Sequence, residues 1–223
     1  VPGTRPGKQR VRSRTPVRGS RGLSRPRLPA RLSTQPLSYP GNVNQEQAKI
    51  RQFDDQFPSD AFSDVLAANQ EFVADFQDSH LTGRAAKELA VVTCMDSRIN
   101  PLAVLGMNEG DVKILRNAGA RVTDDVLRTL VLASYLLNVK RVLVMPHTEC
   151  KMASATEDQI HEAIAADYGV DIRSIEIRVV EDQREALKRD VMRIRSYPFL
   201  PEDLVVGGAI YDVHTGQVAP QDF

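Results

Sequence analysis

The chain has 223 residues, 42% of them hydrophobic, enough for one substantial domain with its own core. No apolar run approaches the roughly 20 residues that a membrane span requires, and two cysteines are too few for the disulfide-dense scaffold of a small secreted domain. The formal net charge of zero conceals a division: residues 1–45 carry Lys8, nine arginines and no acid, while residues 46–223 carry 19 basic against 29 acidic residues, so a basic tail precedes an acidic domain.

Residues 1–45 also hold seven of the 13 prolines and a single aromatic, Tyr39. Such a segment buries too little apolar surface to offset its ordering entropy, and disorder is predicted for it. Its Arg-rich, Ser-rich, acid-free composition is that of an organelle transit peptide and points to the mitochondrial matrix, with the cytoplasm as the default for a plain flexible tail. A nucleic-acid-binding arm would have the same charge. It lacks interleaved aromatics, however, and the acidic domain behind it opposes phosphate attraction. Neither nucleic acid nor membrane is expected as a partner.

Within 46–223, Phe62, Val65, Leu66, Phe72, Val73 and Phe76 recur at helical spacing and predict an amphipathic helix over about 60–78. Short apolar runs follow at Leu89–Thr93, Val112–Leu115, Val142–Met145 and Leu204–Tyr211, and each reads as a strand. Helical patterns lie between them. TDDVLRTLVLASYLLN, 123–138, has Thr123 as N-cap, with Asp124 and Asp125 where the helix dipole favours negative charge. Further helices are predicted at about 154–168 and 181–196. The final YDVHTGQV reads as a hairpin turned at Thr215-Gly216. This alternation predicts an α/β fold with a mostly parallel central sheet flanked by helices.

Two motifs fall at strand ends. In VVTCMDSRINP, Cys94, Asp96 and Arg98 share one side if the strand continues that far, and Arg98 is the nearest partner to keep Asp96 ionised and oriented. In RVLVMPHTEC, His147 and Cys150 follow the apolar run at a spacing from which one turn offers two metal ligands. Adjacent parallel strands would bring this turn to Cys94, because ligand sites of open parallel sheets lie at these ends. Two thiolates and an imidazole suit Zn2+, and three protein ligands leave a fourth position open, as in catalytic sites. A disulfide is the plain alternative for two cysteines; their surroundings argue against it.

CMDSRINP, GDVKILRNAGARVTDDVLRTLV and HTEC together resemble the β-class carbonic anhydrases, over roughly residues 60–215, in the compact form found in bacteria and fungi. The resemblance implies zinc held by Cys94, His147 and Cys150 beside an Asp96–Arg98 dyad. It also implies a homodimer or homotetramer with the N-terminal helix lying on the neighbouring subunit. The implied reaction is reversible hydration of carbon dioxide to bicarbonate and a proton by zinc-bound hydroxide. Hydrolysis of carbonyl sulfide or carbon disulfide on the same scaffold, or a silent homologue that binds zinc or bicarbonate, are the alternatives. Asp96 is assigned either to orienting the hydroxide or to closing the site as a fourth ligand.

Other positions carry two readings. In RNAGA, residues Asn117, Ala118 and Gly119 either approach the substrate oxygens or form a tight connection that requires Gly119 for backbone reasons. His80, His161 and His214 read as solvated or hydrogen-bonded structural histidines, and Glu149 either supports the metal site from behind its ligands or is merely exposed, the reading preferred here. Lys151 departs from the resemblance, since many family members have glycine there. It is strained if that place demands positive φ; otherwise it adds a cation near the site.

Overall fold

The structure, a computed structural model, describes residues 56–223. The basic tail and the readings attached to it lie outside these residues. Ser59–Phe223 forms one compact unit.

Its centre is a five-stranded sheet: β1 (Leu89–Cys94), β2 (Val112–Asn117), β3 (Arg141–Met145), β4 (Val205–Tyr211) and β5 (Val218–Gln221). The spatial order is β2-β1-β3-β4-β5. The first four strands are parallel, and β5 returns antiparallel to β4. The hairpin turn contains Gly216 at φ 74°, as the Thr215-Gly216 signal predicts. Around the sheet lie α1 (Ser63–Asp75), α2 (Pro101–Leu105), α3 (Asp124–Leu136), α4 (Glu157–Tyr168) and α5 (Gln183–Arg195).

β1 is buried along its whole length, as expected of a central strand covered on both faces. Its alternate side chains divide the core. Ala90 and Val92 pack with Val142, Val144 and Val206 beneath α3 (Leu127, Leu130) and α5 (Leu187, Val191, Ile194). Leu89 and Val91 join Met145 and Tyr211 on the other face, where Val104 and Leu105 of α2 lie. α5 sits close on β4: a Cβ at Gly208 would meet Leu187 Cγ at 3.0 Å and Phe223 Cε2 at 2.9 Å.

Side-chain caps set most helix starts. Thr123 Oγ1 accepts from Val126 N, as predicted, and Asp182 caps α5. Thr156 and Gln159 form a reciprocal capping box at α4. This box places the α4 start at Glu157 rather than near 154; Lys151–Ala153 forms a separate 3-10 turn. The predicted 60–78 helix is likewise divided into a 3-10 turn, Ser59–Phe62, and α1, which ends at Asp75. α2 has only five residues, too few for its periodicity to stand out in the sequence. Its ends are well marked nevertheless: the Asn100 side chain accepts from Ala103 N, Pro101 takes the first turn, and Gly106 closes it at φ 62°.

α1 buries none of its residues. Val65, Leu66, Phe72, Val73 and Phe76 all stand exposed. No helix among the described residues is long and apolar enough to cross a membrane.

Candidate metal centre

The strand order creates the site. From β1 the chain goes to β2 on one side, and the later β3 lies on the other. The loops leaving the C-terminal ends of β1 and β3 therefore diverge and leave a crevice, the place where open parallel sheets bind ligands. Cys94 is the last residue of β1, and His147 and Cys150 follow the end of β3.

Beyond Cys94 the extended conformation stops, so a continuing strand is not what unites Asp96 and Arg98. A turn does. Asp96 Oδ1 accepts the backbone N–H of Arg98 at 2.9 Å and its Nε–H at 3.0 Å, while Oδ2 accepts from Nη2 at 2.8 Å. The Arg98 bonds hold the Asp96 carboxyl far below the usual carboxylate range. Arg116 of β2 fixes the backbone of this loop from the side, donating to Cys94 O at 2.9 Å and Asp96 O at 2.6 Å.

The β3 loop is tied to β4 and α5. Tyr211 N donates to Pro146 O, and Thr148 N donates to Tyr211 O, both at 2.9 Å. Gln183 Nε2 donates to His147 O at 2.5 Å. The His147 ring is fully buried. Its Nδ1–H donates to Thr148 O at 2.7 Å, which fixes the tautomer and leaves the Nε2 lone pair pointing inward. Nε2 is buried without a hydrogen-bond partner.

That orphaned nitrogen is aimed at two sulfurs. Cys94 Sγ and Cys150 Sγ lie 3.9 Å apart, both residues are buried and both thiols are free. A disulfide needs about 2.05 Å, whereas two sulfurs each about 2.3 Å from a tetrahedral zinc stand about 3.8 Å apart. All three ligand atoms fall within 4.8 Å of one another. Burial pushes the Cys150 thiol up, and the neighbouring Cys94 sulfur adds to this, so a cation beside Cys150 would favour its thiolate. An unpaired imidazole nitrogen, two buried sulfurs at this spacing and no covalent bridge fit a borderline-soft divalent metal. Asp96 Oδ2 stands beside the set, 3.7 Å from His147 Nε2.

The sequence model described as carbonic anhydrase matches residues 89–218. A "Beta-carbonic anhydrase 1" of Mycobacterium tuberculosis is 35% identical over 158 residues, spanning 70% of this chain and 94% of the relative. The chain belongs to the β-carbonic anhydrase family. Among solved β-carbonic anhydrase-like folds, a carbonic anhydrase from Streptococcus mutans is 37% identical, with a TM-score of 0.69 over 72% of this chain and 97% of that one. A carbon disulfide hydrolase of Acidithiobacillus thiooxidans is 29% identical over 157 residues, 61% of this chain and 78% of the relative.

In this β-carbonic anhydrase the RNAGA loop is held by its own residues. Asn117 Nδ2 donates to Arg121 O at 2.7 Å and its Oδ1 accepts from Arg121 N at 2.8 Å. Gly119 has φ 79°, and a Cβ there would meet Met152 at 3.3 Å, so its backbone requirement is real. Ala118–Ala120 forms a 3-10 turn. Arg121 then clamps the loop to α5 through Asp190, 2.7 Å away and nearly buried. Breaking a buried pair of this kind by removing one partner costs about 3–5 kcal/mol.

Lys151 is not strained. The positive φ belongs to Glu149, at 55°, and this left-handed residue curls the turn between His147 and Cys150. Nor is Glu149 merely exposed: it pairs with Arg98 and His214. His80 and His161 bond backbone carbonyls of Gln77 and Ile175, as structural histidines do. Arg116 and Thr148 lie within the RNAGA and HTEC stretches and Gln183 lies outside any motif, and the sequence gives none of the three a role, because each acts on a backbone group far away along the chain.

Proposed function

We propose that this chain is a zinc enzyme that hydrates carbon dioxide reversibly to bicarbonate and a proton. The single observation that carries this reading is the orphaned His147 Nε2 facing Cys94 and Cys150, with the ionised Asp96 at 3.7 Å. Cys94, His147 and Cys150 would hold zinc, which when bound supplies Lewis acidity and a nucleophile derived from water near neutral pH.

The chain's own groups do the rest. Asp96 is kept ionised and can only accept, so it takes a hydrogen bond from the attacking oxygen and leaves that oxygen's lone pair directed at the substrate carbon. Arg98 occupies both Asp96 oxygens and so resists rotation of the carboxylate toward the metal. It also offsets the negative charge that two thiolates and a carboxylate bring together. The proton released on hydration leaves to solvent.

Carbon disulfide presents the same linear geometry and an electrophilic carbon, and the Acidithiobacillus relative bears that activity in its name. Higher identity and fuller coverage of the mycobacterial relative favour carbon dioxide. Parallel assays of the zinc-loaded chain on carbon dioxide, carbonyl sulfide and carbon disulfide across pH 6–9 decide the matter. Carbon dioxide is expected to be hydrated fastest; turnover of the sulfur compounds alone would reassign the substrate, and no turnover on any of them would leave a silent zinc protein.

The exposed apolar face of α1 supports a homodimer or homotetramer in which this helix lies on a second copy. Placing acids there, as in Val65→Asp with Val73→Asp, is expected to reduce the molecular mass in solution to that of one chain. An unchanged mass would show that α1 is not the contact.

A further inference from the structure

The Asp96–Arg98 pair lies within one short loop, two residues apart. Such a pair orients its own members but does not by itself fix them relative to His147 and Cys150, which come from another strand end. Arg98 is also about half exposed along its side chain, so its long stem is not held by burial. Two contacts from Arg98 cross the gap, and both reach Glu149. Arg98 Nη2 donates to the Glu149 backbone carbonyl at 3.5 Å. Arg98 Nη1 donates to Glu149 Oε2 at 3.4 Å, and Glu149 sits between the two ligands of the β3 turn. Its other oxygen, Oε1, accepts from His214 Nε2 at 2.8 Å. His214 is carried by the β4–β5 hairpin, whose backbone is fixed there by Asp212 Oδ1, which accepts from the N–H of both His214 and Thr215 at 2.8 Å. The hairpin is itself tied back to the β3 turn, Val213 N donating to Thr148 Oγ1 at 3.1 Å.

We propose that Glu149, seated by His214, is a positioning residue that holds Arg98, and through it the Asp96 carboxylate, in register with the Cys94–His147–Cys150 set. The inference rests on the carbon dioxide reading for its kinetic consequence, though not for its geometry. Three strand ends are involved: the β1 loop brings the dyad, the β3 turn brings two ligands, and the β4–β5 hairpin brings the anchor. Charges alternate along the chain of contacts, Asp96 negative, Arg98 positive, Glu149 negative and His214 positive when protonated. Each neighbour attracts the next, and two like charges never meet directly.

The groups facing His214 are Glu149 from the β3 turn, Asp212 from its own hairpin and Arg98 from the β1 loop. The Glu149 hydrogen bond dominates and raises the His214 pKa from its ordinary value, Asp212 adding to this and Arg98 opposing it. The anchor is therefore charged below this raised value and weakens as the pH rises through it. A neutral imidazole still donates a hydrogen bond, but charge-assisted bonds are roughly twice as strong.

The test uses the zinc-loaded full-length chain with Glu149→Gln, Glu149→Asp, His214→Gln and His214→Lys. The imidazole of His214 is titrated by NMR, a measurement independent of activity. It is expected to titrate above the ordinary histidine range in the wild type and to fall back toward that range in Glu149→Gln. For Glu149→Gln we expect kcat for carbon dioxide to drop roughly tenfold or more, because small misplacements of a reacting group are costly, with KM and zinc content unchanged and Glu149→Asp partly restoring kcat. The ratio of wild-type to His214→Gln kcat should be largest at low pH and approach one as His214 deprotonates, while His214→Lys should keep the advantage to higher pH. Wild-type kcat in both Gln variants, loss of kcat only in step with loss of zinc, or an ordinary His214 titration in the wild type would each overturn the proposal. A wild-type chain inactive on carbon dioxide would instead defeat the functional reading, and the His214 titration would still decide whether the contact exists.

Discussion

A Cys150→Ser chain is expected to emerge from dialysis without zinc while keeping its fold. Serine is nearly isosteric with cysteine, so the turn that carries it has no steric reason to move, and the core around it loses only a sulfur. Chemically the change is severe. A hydroxyl does not ionise near neutral pH and is a poor ligand for zinc, so one of two thiolates disappears from a set of three. Losing an outer hydrogen-bond partner of a ligand already costs 10–100-fold in metal affinity as a rough guide, so losing the ligand itself should cost more than about a hundredfold. Zinc per chain, measured by mass spectrometry after dialysis, should fall from about one to near zero. Far-UV circular dichroism should be little changed, because the core cluster of Ala90, Val92, Leu127 and Leu130 is separate from the one that contains Cys94 and Cys150. Full retention of zinc would remove Cys150 from the ligand set.

The second large effect is expected at Asp96. An Asp96→Asn chain should keep about one zinc, since Asp96 is not among the three clustered candidate ligands, and should lose turnover. Asparagine can still accept through one oxygen, but its amide group presents donors to a guanidinium that is itself only a donor, so the two-bond pairing with Arg98 cannot persist. The group that remains is neutral and free to rotate. Misdirecting an atom that the transition state requires typically costs roughly 10²–10³ in kcat. The outcome also separates the two roles open to Asp96. A carboxylate that orients the attacking oxygen predicts intact zinc and a collapsed kcat. A carboxylate that serves as a permanent fourth ligand predicts weakened zinc binding, and in that case the wild-type chain should be slow as well.

Much of this was legible in the residues, because the relevant signals are local. The four parallel strands announce themselves as short apolar runs, and α3 declares its start through Thr123 and its acidic first turn. The candidate ligands fall at strand ends, where an open parallel sheet places its chemistry, so the sequence alone pairs Cys94 with the His147–Cys150 turn. What stayed hidden depends on contacts between distant parts of the chain. Arg116 looks like a strand arginine until its guanidinium is found on the carbonyls of Cys94 and Asp96. Glu149 and His214 are 65 residues apart, and neither side chain has a neighbour in sequence that reveals the pair. Alternation along a strand predicts the Asp96–Arg98 contact, but a side-chain-to-backbone turn is what achieves it. The resemblance raises positive φ at Lys151, whereas it occurs at Glu149, where the chain curls between His147 and Cys150 rather than after them.

The account rests on two sulfurs and one imidazole nitrogen meeting at one cation. X-ray absorption at the zinc edge of the purified, zinc-loaded chain tests this most directly. The expected spectrum has two sulfurs at about 2.3 Å and one nitrogen at about 2.0–2.1 Å, with a lighter atom completing four ligands. A shell of nitrogen and oxygen alone, or a chain whose Cys94 and Cys150 prove to be joined as a disulfide, would contradict it.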